Sequence, residues 1–215
     1  MKPRDNAEQN TQLLSSQATL DLVEKLSPHV TYVKVPARRR LYYSAKGVDM
    51  CYLIRSGLVH IRRDIDEIVL SLLPTPNIAG ITNLLSKTGA GLFLETLSEC
   101  EIATITTEHA HKLVDDLNLW ELMAKHVTKV ASNIYLLQVR LTAPTAYEIV
   151  RFQLFGLMRE PESLRDKTSA AKYIMDRTHL SRSSVMKILA QLKQGDYVQI
   201  EDGILKALNN LPARY

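Results

Sequence analysis

The feature that most restricts how this chain can fold is a change of hydrophobic period in its middle. Trp120, Met123, Val127, Val130, Ile134, Leu137 and Leu141 are spaced 3, 4, 3, 4, 3, 4, the repeat of a helix that keeps one narrow apolar seam. Such a seam packs either on its own domain, as a core helix, or on its copy in a second subunit. The second is favoured, because β-branched Val127, Val130 and Ile134 suit a parallel two-stranded seam and the stripe stops at a boundary signal, "TAPT" (142–145). These residues are therefore candidate dimerisation positions, and they divide the chain into two stretches of different texture.

Ahead of the seam, from Val30 to about Ile105, the chain is written in short alternating or β-branched runs: "VTYVKV", "CYLIRSGLVHIRR", "EIVLSLL" and "CEIATIT". Clusters of Pro, Gly, Asn and Ser separate them, the pattern of an antiparallel sandwich or small barrel. Before this unit, Thr11 to Leu26 places Leu13, Leu14, Leu20, Val23 and Leu26 for an amphipathic helix, stopped by Pro28.

Beyond Pro144 the pattern predicts a helix from Tyr147 to Met158, a polar loop "REPESLRDKTS", and a helix from Ala170 to Arg177. A tight turn at Thr178 to Leu180 leads to a helix from Ser181 to about Gln194. "YVQIEDGILKAL" then makes a hairpin around Asp202-Gly203, a strong two-residue turn signal. Helix, turn, helix, hairpin is the order of elements in a winged helix-turn-helix.

The second of those paired helices carries the chemistry. Val185, Ile188, Leu189 and Leu192 form its packing face, and no acidic residue occurs between Arg177 and Gly195. A merely solvated face mixes both signs of charge, whereas one offering only cations and hydroxyls points to a polyanion. Ser181 is placed as N-cap, Arg182, Ser183 and Ser184 occupy the first turn, and Lys187 follows one turn later. An Arg there can fork onto guanine O6 and N7, while hydroxyls and helix N–H groups hold phosphates. Arg182, Ser183 and Lys187 are thus candidate DNA contacts, with Ser181, Ser184 and Arg177 expected at the phosphate backbone. A phosphate contact is a candidate role for His179, in the turn ahead of that helix.

Composition narrows the remaining classes. The 215 residues, 46% of them hydrophobic, are enough for one large domain or two small ones and exclude global disorder. A net charge of +4 is mild, so anion binding must come from clustering. Cys51 and Cys100 lie in apolar or alternating runs and read as buried small hydrophobes, with a redox pair as the minor alternative. The run Arg38-Arg39-Arg40 reads as solvated surface, and His109 and His111 as surface histidines. The polar start MKPRDNAEQNTQ and the lack of a long apolar run lead to the expectation of a cytoplasmic protein. No phosphate loop, nucleophile elbow, catalytic carboxylate pair or metal-ligand spacing occurs, so neither an enzyme nor a metal or cofactor is expected.

"LSRSSVMKILAQLKQGDYV" resembles the recognition helix of the Crp/Fnr superfamily of bacterial transcription regulators. "CYLIRSGLVHIRR" followed by "EIVLSLLPTPNIAG" is similar to that superfamily's cyclic-nucleotide-binding-type β-roll. The likeness covers roughly residues 20 to 208, and a closer one, carried by "YIMDRTHLSRSSV" and "LPARY", is to the IprA branch, whose name implies a part in peroxide resistance. The resemblance implies an α+β fold in three parts. These are a cyclic-nucleotide-binding-like β-roll sensor domain with its N-terminal helix over residues 1–117, a dimerisation helix over 118–142, and a winged helix-turn-helix DNA-binding domain over 143–215. It further implies a homodimeric, sequence-specific transcription regulator on double-stranded DNA, with RNA polymerase and a small-molecule effector as further candidate partners. The alternative is a protein-interaction or ligand-sensing module in which DNA binding is vestigial.

The chain also departs from the superfamily. Gly80-Ile81 stands where cyclic-nucleotide binders have Gly-Glu for the ribose, and Ala90-Gly91 where they have Arg-Ser for the phosphate. A buried phosphate needs a charged partner, so cyclic AMP is not the expected effector. The N-terminal cysteine cluster of oxygen sensors is missing. Ser183 replaces the Glu that accepts from cytosine, and His179 holds a turn position usually occupied by Gly, which implies a positive φ that His can adopt.

Overall fold

The computed structural model describes residues 15–83, 91–141 and 145–212. Ala90, the first residues of the expected N-terminal helix (11–14), and the side chains of Leu137 and Leu141 lie outside the described set. The chain divides into two compact units, one ending at Asn133 and the other taking up the chain at Ile134. This division falls inside the long helix, whereas the sequence placed boundaries at either end of it.

The first unit begins with α1 (Gln17–Leu26), capped by Ser16, whose Oγ accepts from the Thr19 N–H at 3.2 Å. A single 3-10 turn, Ser27–His29, holds Pro28 and ends the helix. There follow β1 (Tyr32–Val35), β2 (Arg40–Tyr42), β3 (Ser44–Ala45), β4 (Val48–Ser56), β5 (Val59–Arg63), β6 (Val69–Leu73), β7 (Asn77–Ala79), β8 (Leu92–Thr96) and β9 (Cys100–Thr106). They form two antiparallel sheets. One runs β1-β9-β4-β3 with β7 added on β4, and the other runs β2-β8-β5-β6.

Strand β4 explains the architecture, because it is buried on both faces. Successive side chains on a strand point to opposite sides. Tyr52 and Ile54 enter the core between the sheets with Val59, Leu94 and Ile102. Cys51 and Leu53 face the other way, against Leu22 and Leu26 of α1 and Ala110 and Val114 of α2 (Thr107–Asp116). The uninterrupted apolar run "CYLI" is therefore the signature of a central strand buried on both faces.

Two sequence expectations are corrected in this unit. His111 is buried, with Nε2 at 2.5 Å from the Ile81 carbonyl oxygen, and the Trp120 ring stands edge-on to it at 5.8 Å. It is a packed core group because α2 turns it under the sheet, whereas its neighbour His109 is exposed as expected. In α3 (Trp120–Leu141), Met123 is 4% exposed and packs in the cluster of α1, α2 and β4. It is unavailable to a second subunit. Val127 and Ile134 do remain exposed, along with Tyr135 and Leu136.

The helix is further fastened to its own unit by His126, 2% exposed, whose Nδ1 lies 2.9 Å from Thr19 Oγ1. Cys51 and Cys100 are both buried free thiols, and burial pushes both above the usual thiol range. Cys51 pairs across β4–β9 with Ile105, five residues along β9 from Cys100, roughly 17 Å at 3.3 Å per residue. That separation forbids a disulfide between them.

The second unit contains α4 (Ala146–Arg159), the single turn α5 (Glu162–Arg165), α6 (Ala170–Met175), α7 (Arg182–Gln194), β10 (Val198–Glu201) and β11 (Ile204–Leu208). The polar loop of the sequence reading thus contains one helical turn. A capping box opens α4: Thr145 Oγ1 accepts from the Glu148 N–H, and the Glu148 carboxylate accepts from the Thr145 N–H. Val150, Leu154 and Leu157 of α4 bury against Tyr173, Ile174, Val185 and Leu189, and Leu205 of the hairpin closes the core. Gly156 admits the Tyr173 ring, since a Cβ there would meet its hydroxyl at 3.2 Å.

Helix α7 ends in paired backbone bonds, Asp196 N–H to the Lys193 carbonyl and Tyr197 N–H to the Leu192 carbonyl, with Asp196 at φ 59°. Asp202 and Gly203 at φ 49° and 82° turn the hairpin, as the sequence indicated. The Ala170 N–H donates to the Gly203 carbonyl at 2.8 Å, tying the turn to the start of α6.

A charged cluster sits within this small core. The Arg177 guanidinium lies 3.6 Å from the Tyr173 ring centroid and 3.5 Å from Glu160 Oε1, and the Tyr173 hydroxyl donates to the same carboxylate at 2.7 Å. Arg177 and Glu160 side chains are 8% and 10% exposed. Burial raises the Glu160 carboxyl above its ordinary value, and Tyr173 and Arg177 oppose that shift.

Burial lowers His126 from 6.5 to about 4. A histidine whose folded value lies below its unfolded one gives its full stability above about pH 6.5 and loses it as pH falls toward 4. Acidification from pH 7 to 4.5 should thus cost about 2.5 kcal/mol through this group. His126→Gln keeps a hydrogen-bonding atom without titrating, so its unfolding free energy should fall less by about that amount over the range; an equal fall in both proteins would contradict the assignment. Arg177→Ala leaves the Glu160 carboxylate buried and unpaired, and should cost about 3 to 5 kcal/mol in urea unfolding. A loss below about 1 kcal/mol would show that the cluster does not hold the core.

Candidate nucleic-acid interface

The packing of α7 settles which of its sides can meet a ligand. Val185, Leu189 and Leu192 are buried and Ile188 is half-buried against the core. The opposite side holds Arg182, Ser183, Met186, Lys187 and Ala190, all exposed. Residues four apart on a helix share a face, so Arg182, Met186 and Ala190 form one row, with Ser183 and Lys187 beside it.

The N-terminal turn is built from hydroxyls. Ser181 is the N-cap, and its Oγ accepts from the Ser184 N–H at 3.2 Å and lies 2.9 Å from both Ser183 Oγ and Ser184 Oγ. A helix commonly carries Asp or Glu in its first turn to meet the positive end of its dipole. Here the first turn holds none. The partial positive charge, the linked hydroxyls of Ser181, Ser183 and Ser184 and the exposed Arg182 side chain are therefore gathered at one end of the helix, an arrangement suited to an oligoanion whose bases can also be reached.

The turn before α7 is fixed from within. Buried Thr178 donates to the Ile174 carbonyl at 2.8 Å and its Oγ1 accepts from the Leu180 N–H at 3.4 Å. Behind α7, Lys193 Nζ donates to the Ile200 carbonyl at 3.2 Å, binding the helix to strand β10. Sequence reasoning placed Thr178 in the turn without its bonds, and passed over Glu160 and Tyr173, whose contact spans thirteen positions of the chain. It also passed over Met186, which is 48% exposed; the signal was its place one step off the Val185 row.

The structure brings together Ser181, Arg182, Ser183, Ser184 and Lys187, and removes Arg177 from the group. Arg177 is buried on Tyr173 and Glu160, so it cannot lie on a phosphate backbone while the core is intact. The reason is its position at the end of α6, on the inward side. His179 is exposed, but its backbone is not in the positive-φ region, where Asp196 and Asp202 are found in this unit. The bend is made by the Thr178 bonds and an extended Ser181 at φ −65°, ψ 149°, so no left-handed residue is needed.

In the β-roll, Ile81 is 1% exposed and part of the apolar core, and the Thr107 hydroxyl donates to the Gly80 carbonyl at 3.1 Å. No carboxylate occupies the position next to Gly80 that a ribose-binding Glu would. Arg38, Arg39 and Arg40 are exposed, and Arg40 pairs with Glu67 at 2.7 Å while lying over the Phe93 ring. Among the described residues, no group of three or more His, Cys, Asp or Glu is disposed to hold a metal ion, and no helix is long and apolar enough to cross a membrane.

Comparison with known proteins bears on the same residues. Residues 146–213 match the winged helix-turn-helix DNA-binding family. The inhibitor of hydrogen peroxide resistance of Escherichia coli K12 is 27% identical over 164 residues, 76% of this chain and 79% of that protein. Among solved structures, the c-di-GMP-responsive global regulator CLP of Xanthomonas campestris superposes with a TM-score of 0.70 at 17% identity, over 89% of this chain and 100% of that one. A CRP/FNR-family transcriptional regulator of Thermus thermophilus superposes with a TM-score of 0.61 at 17% identity, over 83% and 94%. The chain thus has the fold of the Crp/Fnr regulators, and its residues 146–213 are similar to the winged helix-turn-helix DNA-binding family.

Proposed function

We propose that this protein is a homodimeric, sequence-specific transcription regulator of the cytoplasm that acts on genes of peroxide resistance. The observation that carries the DNA-reading part is the exposed, acid-free face of α7, where Arg182 and Lys187 flank a hydroxyl-lined N-terminal turn held rigid by Thr178 and the Val185 row. Arg182 forks onto a guanine edge in the major groove, Ser181 and Ser184 hold phosphates together with helix N–H groups, and Lys187 neutralises the flanking backbone. Ser183 offers only a hydroxyl where an acid would select cytosine, which gives this protein its own operator preference.

The dimer reading rests on the seam side chains Val127 and Ile134, which α3 leaves uncovered. Exposed apolar residues in a heptad row are costly unless covered, and a second copy of the same helix covers them by symmetry. Two recognition helices then meet half-sites one turn of DNA apart, about 34 Å. The peroxide link comes from the E. coli relative, an inhibitor of hydrogen peroxide resistance. An effector in the β-roll and a contact with RNA polymerase are compatible with this scheme, and Ile81 in the apolar core argues against cyclic AMP as that effector.

Arg182→Ala should weaken binding to the selected operator by about 1 to 3 kcal/mol and flatten preference at one base position of each half-site. Competition binding against scrambled duplex tests this. An equal loss of affinity for operator and scrambled DNA would reduce Arg182 to a phosphate contact.

A further inference from the structure

We infer that Met186 reads the 5-methyl group of a thymine, and so sets one base position of the operator. The inference rests on α7 being the DNA-reading helix and adds a residue to it that charge alone would not select.

Met186 takes no part in its own domain's core. It belongs neither to the buried cluster of the winged unit nor to the half-buried residues packed on it, although Met158 and Met175 of the same unit do. It is 48% exposed, in a row with Arg182 one turn before it and Ala190 one turn after it, with Lys187 adjacent. A methionine exposed among cations and hydroxyls gains nothing from water, so the face carries an apolar group at its centre.

The edges of the base pairs in the major groove offer acceptors, amino donors and one apolar group, the thymine methyl. A methionine has no donor and only a weakly accepting sulfur. Of all base edges it therefore complements the methyl, and its unbranched, polarisable chain can follow that group as the helix seats. Arg182, one turn nearer the helix N-terminus, engages a neighbouring step. The expected recognition element is a guanine and a thymine within the same half-site, read by two residues of one helical row. Against cytosine, Met186 would meet a bare ring edge and forgo the contact.

The experiment uses the full chain. Duplexes bound by the wild-type protein are selected from a random pool, and each thymine of the selected half-site is replaced in turn by deoxyuridine, which removes only the methyl. At one position the wild-type protein should lose about fourfold in affinity, the contribution of one buried methyl. Met186→Ala should bind the thymine and deoxyuridine duplexes alike at that position, and Met186→Leu should restore a preference for thymine. The side chain is exposed, so the variants should keep the wild-type melting temperature. If no thymine is sensitive to loss of its methyl, or if Met186→Ala retains the wild-type sensitivity, the inference fails while the DNA-reading assignment stands. If the pool yields no enriched sequence at all, that assignment fails and this one with it.

Discussion

Burial of the Val185, Leu189 and Leu192 row against α4 and α6 is the constraint on which the functional interpretation depends. An α-helix can bury only one stripe, and once that stripe is taken the remaining side chains have no choice of direction. Here the burial turns Arg182, Ser183, Met186 and Lys187 to solvent together. The surrounding bonds stiffen the arrangement. Thr178 fixes the entering turn, the Asp196 and Tyr197 backbone bonds close the far end, and Glu160, Tyr173 and Arg177 brace the core beneath. A reading helix must be held this firmly, because base discrimination is lost when donor and acceptor are displaced by a fraction of their bond length.

The charged brace is an unusual choice for so small a core. Two ionised groups of opposite sign are buried side by side, and such pairs seldom add net stability over apolar residues of equal size. Their geometry is specific, however: the planar guanidinium lies on the Tyr173 ring and its edge faces the carboxylate that the same tyrosine donates to. That combination fixes the angle between α4 and α6 in a way that interchangeable aliphatic side chains would not.

Much of this was legible in the sequence, for local reasons. The N-cap serine, the Asp202-Gly203 turn and the 3-1-3 spacing of the α7 packing face are short-range signals, and each was realised as written. The order of β-roll, long helix and winged unit was legible from the changes of hydrophobic period and the resemblance they carried. What failed to be legible was long-range. Arg177 looked like a DNA contact because it sits beside the reading helix in sequence, yet its partner Glu160 is seventeen positions away. Met123 looked like a seam residue because the heptad ran through it, while α1, about a hundred positions earlier, claims it for the core. His126 gave no signal, since its meaning depends on Thr19. For Arg177 and Met123 a charge or periodic pattern named the side chain's chemistry but not the surface that would absorb it.

The central claim is that two copies of this chain present the N-terminal turn of α7 to successive major grooves. It is tested most directly by mapping, across the genome, the DNA protected by the untagged protein and reading the bound sequence and its symmetry together. The account predicts an enriched motif with two-fold symmetry, its half-site centres about 10 to 10.5 base pairs apart or at multiples of that spacing. Occupancy that follows no sequence, or a motif without symmetry, would contradict it.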